Sequence, residues 1–334
     1  MKISILDQAP ITDNETAYEA LHHAVRLAQL GEKYGYTRYW IAEHHNLPGL
    51  ACPAPEVMLP YIGAQTKEIR IGSGAILLPF YKTFKVAEVF NLLATLFPNR
   101  IDLGIGRAPG GSAETTNALS DHFLKQVWNM PDAVKELLQF LEDSFPTGHK
   151  YEKVTASPFP TSAPVPWILG TSKKSGILAG QLGVPYAFGQ FMSENDGVEI
   201  IKQYFDSYRS LRENQKPEVI VTVSAICAET TERANELALS TTIGALQKEN
   251  GSRRNGLPSR EEAMEYKLTE MEKGKIERMR KNIVTGNPHE LIEKLKQIQK
   301  TYQANEIMVV THTHSASDRL RSYQLLGEEI KNCK

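Results

Sequence analysis

Short apolar runs alternate with longer amphipathic segments along nearly the whole chain. The short runs predict β-strands, and the longer segments predict helices because their apolar residues recur at a spacing of three or four. The clearest helical pattern covers residues 16–34 and ends before Gly35, a residue typical of a C-terminal helix cap. The predicted strands are residues 3–6, 38–42, 69–76, 101–106, 166–169, 185–188, 219–227 and 306–310.

Helical patterns separate and follow these strands. The predicted helices cover residues 16–34, 55–66, 84–96, 124–141, 173–182, 194–211, 231–245, 261–281, 288–302 and 317–330. The alternation of strand and helix indicates a parallel sheet, and eight such units favour closure into a (β/α)8 barrel, an α/β fold of the TIM-barrel type. We therefore expect a single barrel domain over residues 1–334.

Two insertions interrupt the alternation. About 60 residues separate the fourth predicted strand from the fifth, and they include a loop rich in Pro, Ser and Thr at residues 151–164. After the seventh strand and its helix, residues 247–260 are polar and contain several glycine and arginine residues. We expect that second polar segment to be mobile. The predicted barrel therefore has two insertions, one after strand four and one after strand seven.

Composition narrows the functional class. The 38 basic and 39 acidic residues give a net charge of -1 without a basic block, which argues against nucleic-acid or anionic membrane partners. Cys52, Cys227 and Cys333 are scattered and form neither a disulfide framework nor a zinc pattern. The amino terminus is typical of a strand rather than a signal peptide, and no apolar run is long enough to span a bilayer. These features predict a cytoplasmic protein.

Active sites of barrels of this type lie at the carboxyl ends of the strands. Polar and ionisable residues end most of the predicted strands and should therefore converge on one rim. They are Asp7, Gln8, Glu43, His44, His45, Arg107, Thr171, Ser172, Gln190, His312 and His314.

His44 and His45 are the candidates for proton transfer, because histidine titrates near neutral pH. Neighbouring residues of an extended segment point to opposite faces, so only one of the two can easily face the lumen. The alternative is that both histidines cap the strand or bond backbone groups.

Two further segments could bind an anion. Arg107 follows two glycines, and its guanidinium can bind phosphate in a bidentate manner, although a structural ion pair is the alternative. Ser172 and Ser175 lie at the start of a predicted helix, where free N–H groups and the helix dipole favour an anion. Ser172 could instead be only an N-cap.

His312 and His314 share one face of a predicted strand end and could bind a metal, or could face solvent. The sequence offers no evident acidic ligands to accompany them. A metal-dependent barrel hydrolase that uses these histidines with those of strand two remains an alternative, but no residue is assigned as a metal ligand.

Four motifs, in order, resemble the bacterial-luciferase-like family of flavin-dependent oxidoreductases. They are WIAEHH at residues 40–45, IGSGAILLP at 71–79, AEVFNLL at 87–93, and the segment from Arg100 to GIGR at 104–107. Weaker likenesses follow at residues 165–172 and 284–288. The resemblance implies a flavin, FMN or in some members a deazaflavin, held at the barrel mouth.

The resemblance also implies roles for residues of this chain. His44 matches the catalytic histidine of the family. Gly74 and Ala75 match backbone beside the flavin ring, and Leu169, Gly170 and Thr171 match the strand along it. Arg107, Ser172 and Ser175 match positions on the phosphate side. Glu43 and Gln190 complete the predicted cofactor pocket.

The implied reaction is oxidation of a small organic substrate by O2 with reduced FMN as cosubstrate. No nicotinamide motif is evident, so a separate reductase is expected, and luciferase-like proteins often form homodimers. A deazaflavin-dependent hydride transfer and a flavin-binding protein without catalysis remain alternatives. Gly106 replaces a cysteine of the light-emitting luciferase subunit, and Gln190 replaces roughly a tryptophan, which argues against bioluminescence. Residues 247–260 resemble the family's lid.

Overall fold

The computed structural model describes residues 1–12, 15–210, 215–252 and 256–332. Its centre is a closed barrel of eight parallel strands with helices between them, as the sequence predicts. The strands, in chain order, are β1 (Lys2–Asp7), β2 (Arg38–Ile41), β3 (Arg70–Leu77), β4 (Ile101–Gly106), β5 (Val165–Gly170), β6 (Tyr186–Gly189), β7 (Val219–Cys227), β8 (Ile283–Gly286) and β9 (Glu306–Val310).

The barrel closes through β9, which pairs with both β1 and β7. Lys2 of β1 lies opposite Glu306, and Ile220 of β7 lies opposite the same residue. The strand β8 lies outside this ring and pairs only with the second half of β7, from Ser224 to Cys227. The apolar pattern does not reveal β8, because this strand is four residues long and lies between two strongly helical segments.

Helices surround the barrel on its outside. They are α1 (Ala17–Tyr34), α2 (Pro55–Ala64), α3 (Thr83–Leu96), α4 (Ala113–Leu119), α5 (Phe123–Trp128), α6 (Met130–Glu142), α7 (Lys173–Gln181), α8 (Gly197–Ser207), α9 (Thr231–Glu249), α10 (Arg260–Glu265), α11 (Glu270–Lys281), α12 (Pro288–Thr301) and α13 (Ala316–Asn332). Among the residues with described positions, no helix is long and apolar enough to cross a membrane.

Two predicted helices are each divided in the structure. The helix predicted at 124–141 is α5 and α6, which meet at Asn129, and Pro131 lies in the first turn of α6. The helix predicted at 261–281 is α10 and α11, because Thr269 and Glu272 form a capping box that starts a new helix. The helix α4 was not predicted at all.

Part of the predicted mobile segment 247–260 continues α9 as far as Glu249. Residues 253–255 of that segment lie outside the described residues, as does residue 211 of the predicted helix 194–211. The mobility of the segment therefore stays a prediction.

The barrel lumen is filled at its amino end. Arg38 is buried there and donates to Asp102 and to Glu306, with both contacts at 2.9 Å. Apolar side chains, including Trp40 and Trp167, pack above this ion-paired layer. A buried charge network with satisfied partners therefore closes that end of the barrel.

Candidate functional site

A cavity of about 440 Å³ opens at the carboxyl ends of the barrel strands. Ten of the residues predicted from the sequence line it: Glu43, His44, Gly74, Ala75, Arg107, Leu169, Gly170, Thr171, Ser172 and Ser175. The eleventh, Gln190, is not among the lining residues. It begins the short 3-10 helix Gln190–Met192, whose other two residues do line the cavity.

Glu43 is a buried acceptor that ties three segments together. Its carboxylate accepts from the Leu77 backbone N–H at 2.9 Å, the Tyr81 hydroxyl at 2.8 Å and His45 Nε2 at 2.8 Å. Burial raises the pKa of Glu43 above its ordinary value, and these hydrogen bonds oppose the rise. The carboxyl therefore fixes the end of β2 against the end of β3.

The two adjacent histidines have different environments. His45 is bonded to Glu43 and lies edge-on to the Phe80 ring, with 5.8 Å between ring centroids. The side chain of His44 lines the cavity, while its backbone N–H donates to the Cys52 carbonyl at 3.0 Å. The sequence left open which histidine faces the lumen, and the structure assigns that position to His44.

The His44 side chain is uncharged at neutral pH. Burial, and to a smaller extent the neighbouring His45, lower the pKa of His44 to about 4, so the imidazole is neutral at pH 7. Its Nδ1 atom is buried and has no hydrogen-bond partner among the described residues. A buried polar atom without a partner is costly in a folded protein, and a catalytic role is one explanation for such an atom.

The backbone of β3 approaches the cavity closely. The peptide bond between Gly74 and Ala75 is cis, and the pairing register of β3 with β4 shifts between Ser73 and Ile76. A Cβ at Gly74 would come within 2.7 Å of Leu6 Cδ1 and 3.0 Å of Trp40 Cβ, so a larger residue there would require these neighbours to shift.

The opposite side of the cavity is rich in hydrogen-bond donors. Ser172 caps α7, and Ser172 and Ser175 form a capping box. Arg107 Nη2 donates to Ser172 Oγ at 3.2 Å from the end of β4. The N–H groups of Lys173 and Lys174 lie in the first turn of α7 and have no acceptor within the helix. Ser172 is therefore an N-cap, as one of the two interpretations of the sequence predicts. It also belongs to a cluster of hydrogen-bond donors.

Tyr186 supports this cluster and was not among the predicted site residues. Its hydroxyl lies 3.0 Å from Ser175 Oγ, and burial raises its pKa to about 12, so it stays neutral. Nothing in the sequence distinguishes this tyrosine from an ordinary buried strand residue. The residues of α5 that line the cavity, Phe123, Leu124 and Val127, were also not foreseen as site residues.

The histidines of the last strand do not join those of strand two in a metal site. Among the residues that the structure describes, no three His, Cys, Asp or Glu side chains are grouped so that they could hold a metal ion. His314 Nδ1 lies 2.9 Å from the Leu257 carbonyl. His312 lines a neighbouring cavity, where burial lowers its pKa to about 4. This arrangement gives the hydrolase alternative no set of ligands.

Sequence relatives cover nearly the whole chain. An N-acetyl-S-alkylcysteine monooxygenase of Bacillus subtilis is 36% identical over 335 residues, which are 100% of this chain and 99% of the relative. A luciferase-like monooxygenase of Escherichia coli K12 is 33% identical and covers 96% of this chain and 95% of its own. The oxygenase component of a flavin-dependent trigonelline monooxygenase of Acinetobacter baylyi is 23% identical over 86% and 82% of the two chains.

Solved structures share the architecture. The crystal structure of apo-MsnO8 superposes with a TM-score of 0.88 at 32% identity and covers 99% of this chain and 97% of that one. Two more distant structures share the fold alone. The oxygenating constituent of 3,6-diketocamphane monooxygenase, in complex with FMN, has a TM-score of 0.72 at 19% identity with 99% and 97% covered. An F420-dependent secondary alcohol dehydrogenase has a TM-score of 0.71 at 15% identity with 100% and 99% covered.

A sequence profile of the family described as luciferase-like monooxygenase matches residues 1–304. This match, the relatives above 30% identity and the site at the barrel mouth agree with one another. The chain belongs to the luciferase-like monooxygenases, a family of enzymes.

Proposed function

We propose that the cavity at the barrel mouth binds reduced FMN and that the enzyme uses it with O2 to oxidise a small organic substrate. One observation carries this proposal. A neutral, half-buried His44, whose buried Nδ1 has no partner among the described residues, and a cluster of donors around Ser172 line the same cavity.

The donor set fits the phosphate of FMN. Arg107, Ser172 and the free N–H groups at the start of α7 are the types of donor that bind phosphate, and the dipole of a nine-residue helix adds to them. Tyr186 holds Ser175 in place behind them. The apolar and backbone surface of Ala75 and Leu169 suits the flat ring of a flavin.

The residues around the cavity then have separate tasks. A bound reduced flavin supplies the electrons that O2 activation requires. His44, neutral at pH 7, is able to accept a proton at an imidazole nitrogen and return it to the substrate side. Glu43 orients the backbone that carries His44, and the apolar side chains of α5 limit the access of water.

A separate reductase supplies the reduced flavin in this proposal. The name of the A. baylyi relative, an oxygenase component, supports a two-component arrangement. The name of the B. subtilis relative suggests a first substrate to test, an N-acetyl-S-alkylcysteine.

The reaction is tested with purified chain, FMN, NADH, a flavin reductase and N-acetyl-S-methylcysteine under ¹⁸O2. We expect a product that carries one ¹⁸O atom and forms only when the chain is present. Oxygen consumption that yields hydrogen peroxide alone, with this thioether and with a panel of aldehydes, ketones and aromatic acids, would contradict monooxygenation. Conversion of a substrate with F420 as the cofactor in place of FMN would instead favour the deazaflavin alternative.

Replacing Arg107 with Ala should weaken FMN binding about tenfold, because a hydrogen bond to a charged group contributes about 1.5–3 kcal/mol and Arg107 is exposed. Riboflavin has no phosphate, so its dissociation constant should stay within twofold in the same variant. Fluorescence titration measures both ligands. Arg278→Ala, at an exposed position on α11, is the matched control. Equal losses for FMN and riboflavin would remove Arg107 from the phosphate site.

We also propose that the protein forms a homodimer through its early helices. Exposed apolar side chains on α2 and α3, Val57, Tyr61, Leu92 and Leu96, support this surface. Sedimentation velocity should give twice the 37.4 kDa of one chain, and Val57→Glu should shift the population towards the monomer. A monomer at all concentrations of the unaltered protein would contradict the proposal.

A further inference from the structure

A second cavity, of about 520 Å³, adjoins the proposed flavin cavity at the barrel mouth. The two cavities share one lining residue, Gln8, at the end of β1. The second cavity lies between the segments that follow β1 and β2 on one side and α9 with the segment at Leu257 on the other. It therefore opens beside the place where oxidation would occur.

Hydrogen bonds hold the walls of this cavity in place. The segments after β1 and β2 are joined by a bridge between Pro10 and Leu50 and by a bond from Ile11 N–H to the Gly49 carbonyl at 2.8 Å. On the other side, Thr241 donates to the carbonyl of His312 at 2.9 Å, which fixes α9 to the end of β9. These bonds hold the loop segments and α9 that form the two walls of the cavity.

The charge of the lining is one-sided. Among the described residues that line the cavity, Lys248 is the single charged side chain, and no carboxylate of the described chain lies within ion-pair distance of it. Thr241, Ala245 and Lys248 recur at helical spacing, so one face of α9 turns towards the cavity. The remaining lining is mostly apolar, with Ile11, Leu47, Leu50 and Leu257 as its largest members.

His312 does not add a second charge. Burial, with a contribution from Arg319 and a smaller one from Lys248, lowers its pKa to about 4. The imidazole is neutral at pH 7 and can donate or accept a hydrogen bond. Among the described lining residues, an anion in this cavity would meet one cation, Lys248, with neutral polar groups and no carboxylate.

We propose that this second cavity holds the organic substrate and selects an amphipathic carboxylate, whose anionic group binds Lys248 and whose apolar part packs against Ile11, Leu50 and Leu257. The inference rests on the proposed function, because it takes the adjoining cavity as the flavin site. A volume of several hundred cubic ångströms suits a ligand of modest size. The part of the substrate farthest from Lys248 can then reach past Gln8 towards the flavin cavity.

The test compares matched pairs of probes, each a carboxylic acid and its primary amide. The pairs are built on hexanoate, 3-phenylpropanoate and N-acetyl-S-methylcysteine, and binding is measured by calorimetry at pH 7.5 with and without FMN. For the pair that binds most tightly, we expect the carboxylate to bind about three- to tenfold more tightly than the amide. Lys248→Gln should abolish that ratio, and Lys248→Arg should keep it.

Lys135→Gln, at an exposed position on α6 outside both cavities, is the matched control and should keep the ratio of the unaltered protein. Equal binding of acid and amide by the unaltered protein, an unchanged ratio in Lys248→Gln, or no saturable binding of any acid below about 10 mM would each overturn the proposal. Failure of the proposed function can be told apart from failure of this inference. The first would appear as absent FMN binding, whereas the second is measured by the acid-to-amide ratio, which is also determined without flavin.

Discussion

Replacing His44 with Gln should lower turnover by about 10²–10³ while the dissociation constant of FMN stays within twofold. General acid–base catalysis by a positioned side chain contributes about 10²–10⁴ in rate, and glutamine keeps the polarity and much of the volume of histidine without exchanging protons. His44 lines the cavity but is not part of the donor cluster around Ser172. This variant should therefore lose turnover while it keeps its affinity for FMN.

The pH profile gives a second measurement of the same role. Burial lowers the pKa of His44 to about 4, so the imidazole is in its proton-accepting form at every pH well above that value. We expect kcat to be level between about pH 5.5 and 8 and to fall only as the pH approaches 4, instead of falling near 6.5 as for an exposed histidine. The acid limb should be absent from the residual activity of His44→Gln.

His289→Gln, at an exposed position on α12, is the control and should behave as the unaltered protein. Turnover by His44→Gln within threefold of the unaltered enzyme would show that His44 does not carry the proton. A parallel loss of FMN affinity would instead assign the residue a structural or cofactor-binding task.

Replacing Glu43 with Ala should lower the free energy of unfolding by roughly 2–4 kcal/mol. The change removes the shared acceptor of the Leu77 N–H and the Tyr81 hydroxyl and leaves those donors in the protein interior. Each buried group that loses its partner costs about 1–3 kcal/mol. Urea unfolding followed by circular dichroism measures the loss, and a fixed m-value shows that the unfolded state is unchanged.

Two companion variants separate the causes. Glu43→Gln keeps an acceptor oxygen at the same place, so it should lose less stability than Glu43→Ala. Glu265→Ala, at an exposed position in α10, should change the unfolding midpoint little. If Glu43→Ala were as stable as the unaltered protein, the carboxyl would not be the anchor between β2 and β3 that its hydrogen bonds indicate.

The barrel could be predicted because each of its strand–helix units has a recognisable pattern within a short stretch of sequence. Each barrel strand is a short apolar run followed by turn residues and an amphipathic helix, and the eight repeats of that pattern predict closure. The strand β8 was not predictable in this way, because its four residues form a strand by pairing with the second half of β7, from Ser224 to Cys227. Pro131 indicates the break between α5 and α6, but the continuous helical spacing of apolar residues over 124–141 predicts one unbroken helix.

The candidate site was predictable to the extent that it lies where strands end. Ten of the eleven predicted residues line one cavity because the carboxyl ends of parallel strands meet at one rim. The remaining features depend on tertiary contacts. Tyr186 of β6 contacts Ser175 of α7, the helix before it, and Lys248 lines the second cavity from the last turn of α9. Neither residue has a local pattern that marks it.

The most direct test of the central claim is to titrate the purified, flavin-free chain with FMN. The titration is done first with oxidised FMN and then with reduced FMN under anaerobic conditions. The account predicts saturable binding of reduced FMN at one site per chain with a dissociation constant below about 10 µM, and weaker binding to Arg107→Ala. F420 added to the same protein should not displace FMN at equal concentration. Absence of saturable binding of either form of FMN up to about 1 mM would contradict the account.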